Sequence, residues 1–181
     1  CFKIPFFFFF TASLVIKLIV GSLLSSILLD AGSYSLTVVF VRLAGVSFTH
    51  SNNNLNIALN RTYNPGETLD VKIYYRRKEV TDMAFYSLGG AVFTNCEPDG
   101  SRNWYPCWDK PNDKATMDLT AKVPSNVRLG SNGRLNDSLV SGDTILYHWV
   151  SRDPMATYLI AIGGAVNYNI DIIYWHKISN Q

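Results

Sequence analysis

The chain has 181 residues with 16 basic and 14 acidic side chains, a formal net charge of +2, and only 17% charged residues. This near-equal number of basic and acidic residues argues against a nucleic-acid-binding surface, which needs basic residues concentrated on one face. The length suits a single domain that buries roughly 70% of the surface its unfolded chain exposes, so a core can form without disulfides or metals.

The first part of the chain is strongly apolar. Residues 5–29 contain Lys17 as the only charged side chain, and they are long enough to cross a bilayer, which takes about 20 residues. Contact with a membrane through this segment is therefore an alternative to its folding within a soluble domain. Lys3 ahead of the apolar residues 6–10 also resembles the start of a signal peptide. We accordingly expect an extracytoplasmic or secreted location rather than a cytoplasmic one.

Two features of the same segment argue against a membrane span. Residues 14–20 are rich in Val and Ile, which favour strands. Lys17 would lie near the middle of a span, at a cost of about 2.5 to 3.5 kcal/mol. We therefore predict sheet strands from Thr11 onward, as the start of a single β domain over residues 11–181. Residues 1–10 stay unassigned, with a signal or anchor remnant as the candidate interpretation.

The remainder of the chain reads as short strands about ten residues apart, with Asn, Gly and Pro between them. Apolar runs or period-two alternation predict strands at residues 36–43, 46–49, 54–60, 69–75, 91–93, 115–123, 144–150, 158–162 and 170–175. No stretch has the pattern of an amphipathic helix of three turns. The sequence therefore predicts an all-β fold, either a β-sandwich or an open saddle of sheets.

Two polar stretches between these strands are predicted to be hairpin tips. Residues 76–78 are the only basic run, Arg-Arg-Lys, and we expect them to be solvated. Residues 130–133 and 141–143 contain the glycines that bracket the second tip.

The segment over residues 93–114 concentrates special residues, including two cysteines, two tryptophans and three prolines. Pro98 opens a polar turn, and Pro106 and Pro111 prevent a helix further on. We predict a rigid, irregular loop that presents a few side chains. Cys96 and Cys107 have no metal-knuckle spacing, so we expect two buried thiols, with a disulfide between them as the alternative in an extracytoplasmic domain.

The aromatic residues of this segment allow two interpretations. Trp104, Tyr105 and Trp108 could form a platform on which carbohydrate stacks, or could wedge the loop against the sheets, as we expect from the prolines among them. Asp109 and Arg102 would tie the loop down through an ion pair. Asp109 and Asp113 could alternatively hold calcium, but they lack a third oxygen ligand in a recognisable pattern.

The residues of this segment resemble a known signature. They are Thr94, Asn95, Cys96 and Glu97, then Arg102, then Tyr105, Pro106, Cys107, Trp108, Asp109, Lys110 and Pro111, and finally Lys114. This pattern is similar to T-Q-x-E, then R, then aromatic-P-C-x-D-x-P and K, in the N-terminal domain of the M1 zinc aminopeptidases. Residues 26–30 and 157–162 resemble two strands of that domain. The resemblance implies a saddle of antiparallel and mixed sheets.

The same resemblance shows what the chain lacks. An M1 enzyme needs the motif His-Glu-x-x-His, in which the histidines hold zinc and the glutamate is the general base. Of the three histidines, His50, His148 and His176, none precedes a glutamate, and the family's Gly-Ala-Met-Glu-Asn loop is absent. We therefore expect no catalytic residue, metal site or cofactor in this sequence. The resemblance implies that zinc belongs to a catalytic domain of the same parent chain, which would be a metallopeptidase.

Two residues are implied to bind substrate. In the family the Gln and Glu of T-Q-x-E help to hold the free amino terminus of a peptide substrate; Glu97 matches the Glu, and Asn95 matches the Gln with one methylene fewer. An ordinary solvated turn carboxylate is the alternative for Glu97. The other signature residues would structure the loop: Arg102, Trp104, Tyr105, Pro106, Cys107, Trp108, Asp109, Pro111 and Lys114.

Two functions follow from these observations. The first is a non-catalytic N-terminal β domain of an M1-like zinc aminopeptidase, which docks on the catalytic domain and helps to bind the substrate's amino terminus. The second is a stand-alone β-sandwich module for binding or adhesion, tethered to a membrane through residues 5–29, with the loop aromatics as its contact surface. The low charged fraction favours the first.

Overall fold

The computed structural model describes residues 2–3, 9–166 and 168–169. This part of the chain contains fourteen strands and two short 3-10 helices. The strands are β1 (Phe2–Lys3), β2 (Phe10–Ile19), β3 (Leu24–Asp30), β4 (Leu36–Arg42), β5 (Ser47–Ser51), β6 (Asn54–Tyr63), β7 (Thr68–Arg77), β8 (Phe85–Leu88), β9 (Ala91–Thr94), β10 (Lys114–Pro124), β11 (Val127–Ser131), β12 (Arg134–Ser141), β13 (Thr144–Ala156) and β14 (Ile162–Val166). The 3-10 helices are Ser101–Asn103 and Thr157–Leu159. The strand expected over residues 170–175 lies outside the described residues.

The described strands form three sheets. The largest has seven strands in the order β12-β13-β10-β1-β2-β7-β4, the second has the order β11-β14-β9-β8, and the third has the order β3-β6-β5. All pairs are antiparallel except β1 with β10, which is parallel. The predicted all-β fold with antiparallel and mixed sheets is thus confirmed.

Alternation along the strands explains which face of each sheet is buried. In β7, Leu69, Val71, Ile73 and Tyr75 are buried, and the polar residues between them face outward. In β6, Leu55 and Ile57 are fully buried. A two-residue hairpin turn joins β5 to β6, with Asn52 and Asn53 at positive φ. Asn tolerates this conformation, so the predicted turn forms at the expected position.

One hydrophobic core joins the three sheets. It combines Val71 and Ala121 of the seven-stranded sheet with Leu129 of the second sheet and with Leu55 and Ile57 of the third. Each of the Val, Leu and Ile side chains among them, when fully buried, contributes about 1.5 to 3 kcal/mol relative to its exposed state. The signature segment, residues 93–114, contributes to the same core through its buried aromatic and cysteine side chains.

The prediction of a polar hairpin tip between residues 130 and 143 is wrong, because most of this stretch is strand β12. All eight residues of β12 are exposed, and β12 lies at the edge of the seven-stranded sheet, where it pairs with β13. A strand that is exposed on both faces has no period-two pattern. Gly133 permits the sharp turn into β12, since its φ is +80° and a Cβ there would collide with the Val150 carbonyl.

Two further expectations about strands need correction. Residues 158–162 were expected to be a strand, but Thr157–Leu159 is a 3-10 helix and β14 begins only at Ile162. Strand β8 was not predicted, although Gly89 and Gly90, both at positive φ, turn the chain between β8 and β9.

The basic run at residues 76–78 is solvated only in part, because Arg76 and Lys78 are exposed but Arg77 is not. Arg77 is the last residue of β7 and its side chain is fully buried, in an ion pair with Asp82. Side chains alternate along a strand with a period of two residues, so Arg77 lies on the same face as Tyr75 and Ile73. Strand β7 therefore places the guanidinium in the core.

The apolar segment near the start of the chain forms strands β2 and β3 from Phe10 to Asp30, as predicted. Within the described ranges no helix is both long and apolar enough to cross a membrane.

Candidate functional site

The signature segment begins where β9 ends. The backbone N–H of Asn95 donates to the Ala84 carbonyl at 3.0 Å, and the Cys96 thiol contacts the same oxygen at 3.7 Å. Gly100 N–H then donates to the Cys96 carbonyl at 2.7 Å, which closes the turn that contains Glu97. The chain therefore leaves the sheet in a compact turn.

The aromatic part of the segment is packed into the domain. Trp104 and Tyr105 are 2% and 8% exposed, and their rings meet edge to face at 4.7 Å between centroids. The Tyr105 hydroxyl donates to the Thr157 carbonyl at 3.1 Å. Pro106 is buried beside them, whereas Trp108 is 43% exposed. Because two of the three aromatic faces are buried, they cannot form the carbohydrate platform considered above.

The segment is paired with the end of β3. Cys107 and Asp30 exchange two backbone hydrogen bonds, at 2.7 and 3.0 Å, in an isolated antiparallel bridge. The Asp30 carboxylate accepts a third bond, from the Asp109 N–H at 3.0 Å. The Arg102 carbonyl accepts from Gly32 N–H at 2.8 Å. The loop thus has a backbone connection to the third sheet.

A buried carboxylate holds the centre of the loop. Asp109 is 1% exposed; its Oδ2 accepts from Arg102 Nε at 3.1 Å, and its Oδ1 accepts from the Thr157 hydroxyl at 3.0 Å. Arg102 is also 3.2 Å from Asp30 Oδ1 and 3.6 Å from Asp99. Although burial opposes the charged form of Arg102, these carboxylates raise its pKa.

The cysteines of the segment are both free and buried, so the alternative disulfide is not formed. Burial raises the pKa of the Cys96 thiol to about 11, and it raises the pKa of Cys107 well above the usual thiol value. Both are therefore neutral, small, apolar side chains at physiological pH.

The remaining predicted site residues are on the surface. Asn95 and Glu97 are exposed on either side of the buried Cys96, and the Glu97–Pro98 peptide bond is cis. Pro111 is exposed, and Lys114 is the exposed first residue of β10. No other side chain of the described residues binds Asn95 or Glu97. The segment thus presents one amide and one carboxylate from a tied loop.

Among the described residues, no group of three or more His, Cys, Asp or Glu side chains is arranged so that it could hold a metal ion. Asp109 is fully engaged by Arg102 and Thr157, which leaves it no role in a calcium site with Asp113.

Sequence reasoning missed three partners of the loop. Asp30 and Thr157 bind it directly, and Asp82 supports its start through Ala84. An acidic residue at the end of an apolar strand, as Asp30 is, could have been singled out. Nothing in the local pattern marks Thr157 or Asp82.

The all-β fold of this chain is similar to the fold of solved structures. The sheets superimpose on the crystal structure of the M1 zinc metallopeptidase from Deinococcus radiodurans, with a TM-score of 0.83 over 91% of this chain and 40% of that chain, at 20% identity. A mutant of the same enzyme bound to a Tyr-Ser-Ala substrate matches with a TM-score of 0.84. At this identity the likeness establishes the fold alone.

The family follows from the sequence comparison. The model of the peptidase M1 N-terminal domain matches residues 7–159, and the chain belongs to this family. Aminopeptidase M1 of Arabidopsis thaliana is 36% identical over 69 residues, which are 38% of this chain and 8% of that protein. Leucine aminopeptidase 2-1 of Scheffersomyces stipitis is 31% identical over 99 residues, 53% of this chain and 15% of that protein. The matched part is thus a small fraction of these relatives.

Proposed function

We propose that this chain is the N-terminal β domain of a longer M1-type zinc aminopeptidase, in which it docks on the catalytic domain and helps to bind the free amino terminus of peptide substrates. One observation carries the proposal: Asn95 and Glu97 are exposed and unpaired among the described residues, while the loop on both sides of them is buried and tied. A solvated surface turn would not need so many anchors.

The chemistry of the two side chains suits an ammonium group. A cation that leaves water for a cleft needs anionic or carbonyl acceptors, and each charge-assisted hydrogen bond contributes roughly 1.5 to 3 kcal/mol. Glu97 offers a carboxylate and Asn95 an amide oxygen. Since the buried Cys96 lies between them, both side chains are directed away from the domain, where a cleft of a neighbouring domain can receive them.

The outer face of the seven-stranded sheet supports a docking partner. Val15 and Ile19 of β2 and Phe40 of β4 are about half exposed or more, at 47%, 80% and 53%. Phe40 also contacts the Tyr74 ring of β7, with 6.0 Å between centroids. Contiguous exposed apolar side chains, such as the Phe40–Tyr74 pair, are typical of a surface that another domain covers. The exposed Lys17–Asp70 ion pair adds a polar contact between Val15 and Ile19. The partner would be the catalytic domain of the same parent chain.

Zinc would be held by that catalytic domain and would supply the hydrolytic chemistry there. The contribution proposed for this chain is to bind and orient the amino terminus of the substrate. The alternative function, a stand-alone binding or adhesion module, is less well supported because Trp104 and Tyr105 of its supposed contact surface are buried.

The test is the substitution Glu97→Gln in the full-length parent protein. It keeps the size and removes the charge, so we expect KM for peptides with a free amino terminus to rise roughly 10- to 150-fold, with a smaller change in kcat. Glu79→Gln makes the same chemical change at another exposed position and should leave KM unaltered. An unchanged KM in Glu97→Gln would contradict the substrate role.

A further inference from the structure

Arg77 is the centre of a buried network below the signature loop. Its guanidinium carbon lies 4.9 Å from the centroid of the Phe85 ring. One terminal nitrogen donates to Asp82 Oδ2 at 2.7 Å and the other donates to the Lys78 carbonyl at 3.0 Å. Both nitrogens reach the Val80 carbonyl, at 3.3 and 3.4 Å. A single side chain thus binds three points of the connection between β7 and β8.

Asp82 passes this constraint to the start of β8. Its Oδ1 accepts from the backbone N–H groups of Ala84 and Phe85, at 3.0 and 3.1 Å. Its Oδ2 accepts from the Ser35 hydroxyl at 2.7 Å as well as from Arg77. Both carboxylate oxygens are therefore occupied, and the position of Ala84 is set by a charge-assisted network rather than by apolar packing alone.

The Ala84 carbonyl is the anchor of the signature segment. It accepts the Asn95 N–H at 3.0 Å and contacts the Cys96 thiol at 3.7 Å. Gly100 packs over the same place, where a Cβ would lie 3.1 Å from Cys96 Cα and 3.4 Å from Ala84 Cβ. With so little space, a displacement of Ala84 has to move Cys96 and the turn beyond it.

The side chains of Asn95 and Glu97 have no partner among the described residues, so their position depends on the backbone that carries them. Asp109 and Arg102 hold the far end of the loop. We infer that Arg77 and Asp82 are positioning residues that fix Asn95 and Glu97 through the Ala84 carbonyl. This inference rests on the proposed function for the substrate role, but the positioning itself can be measured separately.

The first experiment measures amide hydrogen exchange in this chain by NMR. Asp82→Asn keeps the size of the side chain and weakens its bonds to Arg77 and Ser35. We expect exchange of the Asn95 amide to accelerate roughly tenfold or more, while amides paired between β10 and β13 keep their rates. Asp70→Asn is the matched control, because Asp70 forms an exposed pair with Lys17 at 3.8 Å.

Two results would overturn the inference: an unchanged Asn95 rate in folded Asp82→Asn, or equal acceleration at all strands, which would make the pair a general stabiliser. Should Asp82→Asn fail to fold, Ser35→Ala removes only one bond to the carboxylate. A smaller acceleration confined to Asn95 and its neighbours then supports the inference, and its absence overturns it.

The second experiment uses the full-length parent protein. Asp82→Asn should raise KM for free-amine peptides with a smaller change in kcat, as Glu97→Gln should. If Glu97→Gln raises KM and Asp82→Asn does not, the positioning inference fails and the proposed function stands. If Asn95 exchange accelerates in Asp82→Asn but neither variant changes KM, the positioning stands and the substrate role fails.

Discussion

Thr157 donates its hydroxyl hydrogen to Asp109 Oδ1 at 3.0 Å, across 48 positions of sequence. Together with the Tyr105 hydroxyl bond to the Thr157 carbonyl, this contact attaches the signature loop to the turn that follows β13. Arg102 occupies the other carboxylate oxygen. Asp30 Oδ2 also accepts from the Asp109 N–H at 3.0 Å. The loop is therefore held by Asp30 and Thr157, which lie in two distant parts of the chain, and Asp109 is the residue they share.

The first prediction concerns the stability that Asp109 provides. Asp109→Asn removes the charge that Arg102 faces and leaves its partly buried guanidinium beside a neutral amide in place of a carboxylate. We expect the free energy of unfolding to fall by about 2 to 3 kcal/mol, somewhat less than for a fully buried pair, because Arg102 is partly exposed. Equilibrium unfolding in urea, followed by tryptophan fluorescence, measures the change.

Asp113→Asn is the matched control for this prediction. Asp113 is an exposed aspartate in the same segment, and its substitution should change stability by less than about 0.5 kcal/mol. Equal effects of the two substitutions would show that the network around Asp109 does not stabilise the fold.

The second prediction concerns pH. Arg61 and Glu67 form two hydrogen bonds across the turn between β6 and β7, at 2.6 and 3.0 Å, and Asn64 N–H adds another at 2.6 Å. The bond from Arg61, and then that from Asn64, lower the pKa of Glu67 from 4.5 to about 2. Because the folded-state pKa is lowered, the stabilisation is complete above about pH 4.5 and is lost as pH falls to about 2.

Thermal unfolding of Glu67→Gln from pH 2 to pH 7 tests this direction. The difference in Tm from the wild type should be constant at neutral pH and should vanish near the folded-state pKa. High salt should reduce it, since the pair is on the surface. Arg61→Gln should abolish the part of this pH dependence that the Arg61 bonds provide and leave the part that the Asn64 N–H provides, so the double variant should lose no more than Glu67→Gln alone. A Tm difference that is independent of pH would refute the assignment.

Much of the fold could be predicted because its strands bury one face. In β6 and β7 the alternation of Leu55 with Asn56, and of Val71 with Asp70, follows directly from the pleat, so both the element and its inward face were predicted. Turns with Asn and Gly were equally readable, because few residues adopt positive φ.

The failures have a common physical cause, which is that the sequence shows local patterns and these elements depend on distant partners. Strand β12 exists because β13 offers it hydrogen bonds, and neither of its faces is buried. Thr157 begins a 3-10 helix instead of a strand. Its hydroxyl binds Asp109 and its carbonyl binds Tyr105. Arg77 is expected to be solvated because it is charged. Asp82, five residues further on, compensates its charge in the interior, but only once the chain has folded.

The candidate site divides in the same way. The irregular loop could be predicted from its prolines, whereas Asn95 and Glu97 were singled out by the resemblance to the M1 signature, and their role stays a prediction. The anchors at Asp82 and Thr157 could not be predicted as partners of the loop, because each belongs to another segment. Asp30 stands out only as an acidic residue at the end of an apolar strand, which does not reveal that it binds the loop.

The third prediction concerns the two thiols of the signature loop. Cys96 and Cys107 are 2% and 5% exposed, and burial raises the pKa of each, to about 11 for Cys96. Since the thiolate is the reactive form, both should react with a disulfide reagent only as fast as the domain opens. In a Cys1→Ser variant, we expect slow reaction under native conditions and rapid titration of both thiols in denaturant without a reductant. Rapid reaction of the folded protein would contradict the burial, and no reaction of the unfolded protein would reveal a disulfide in place of the free thiols.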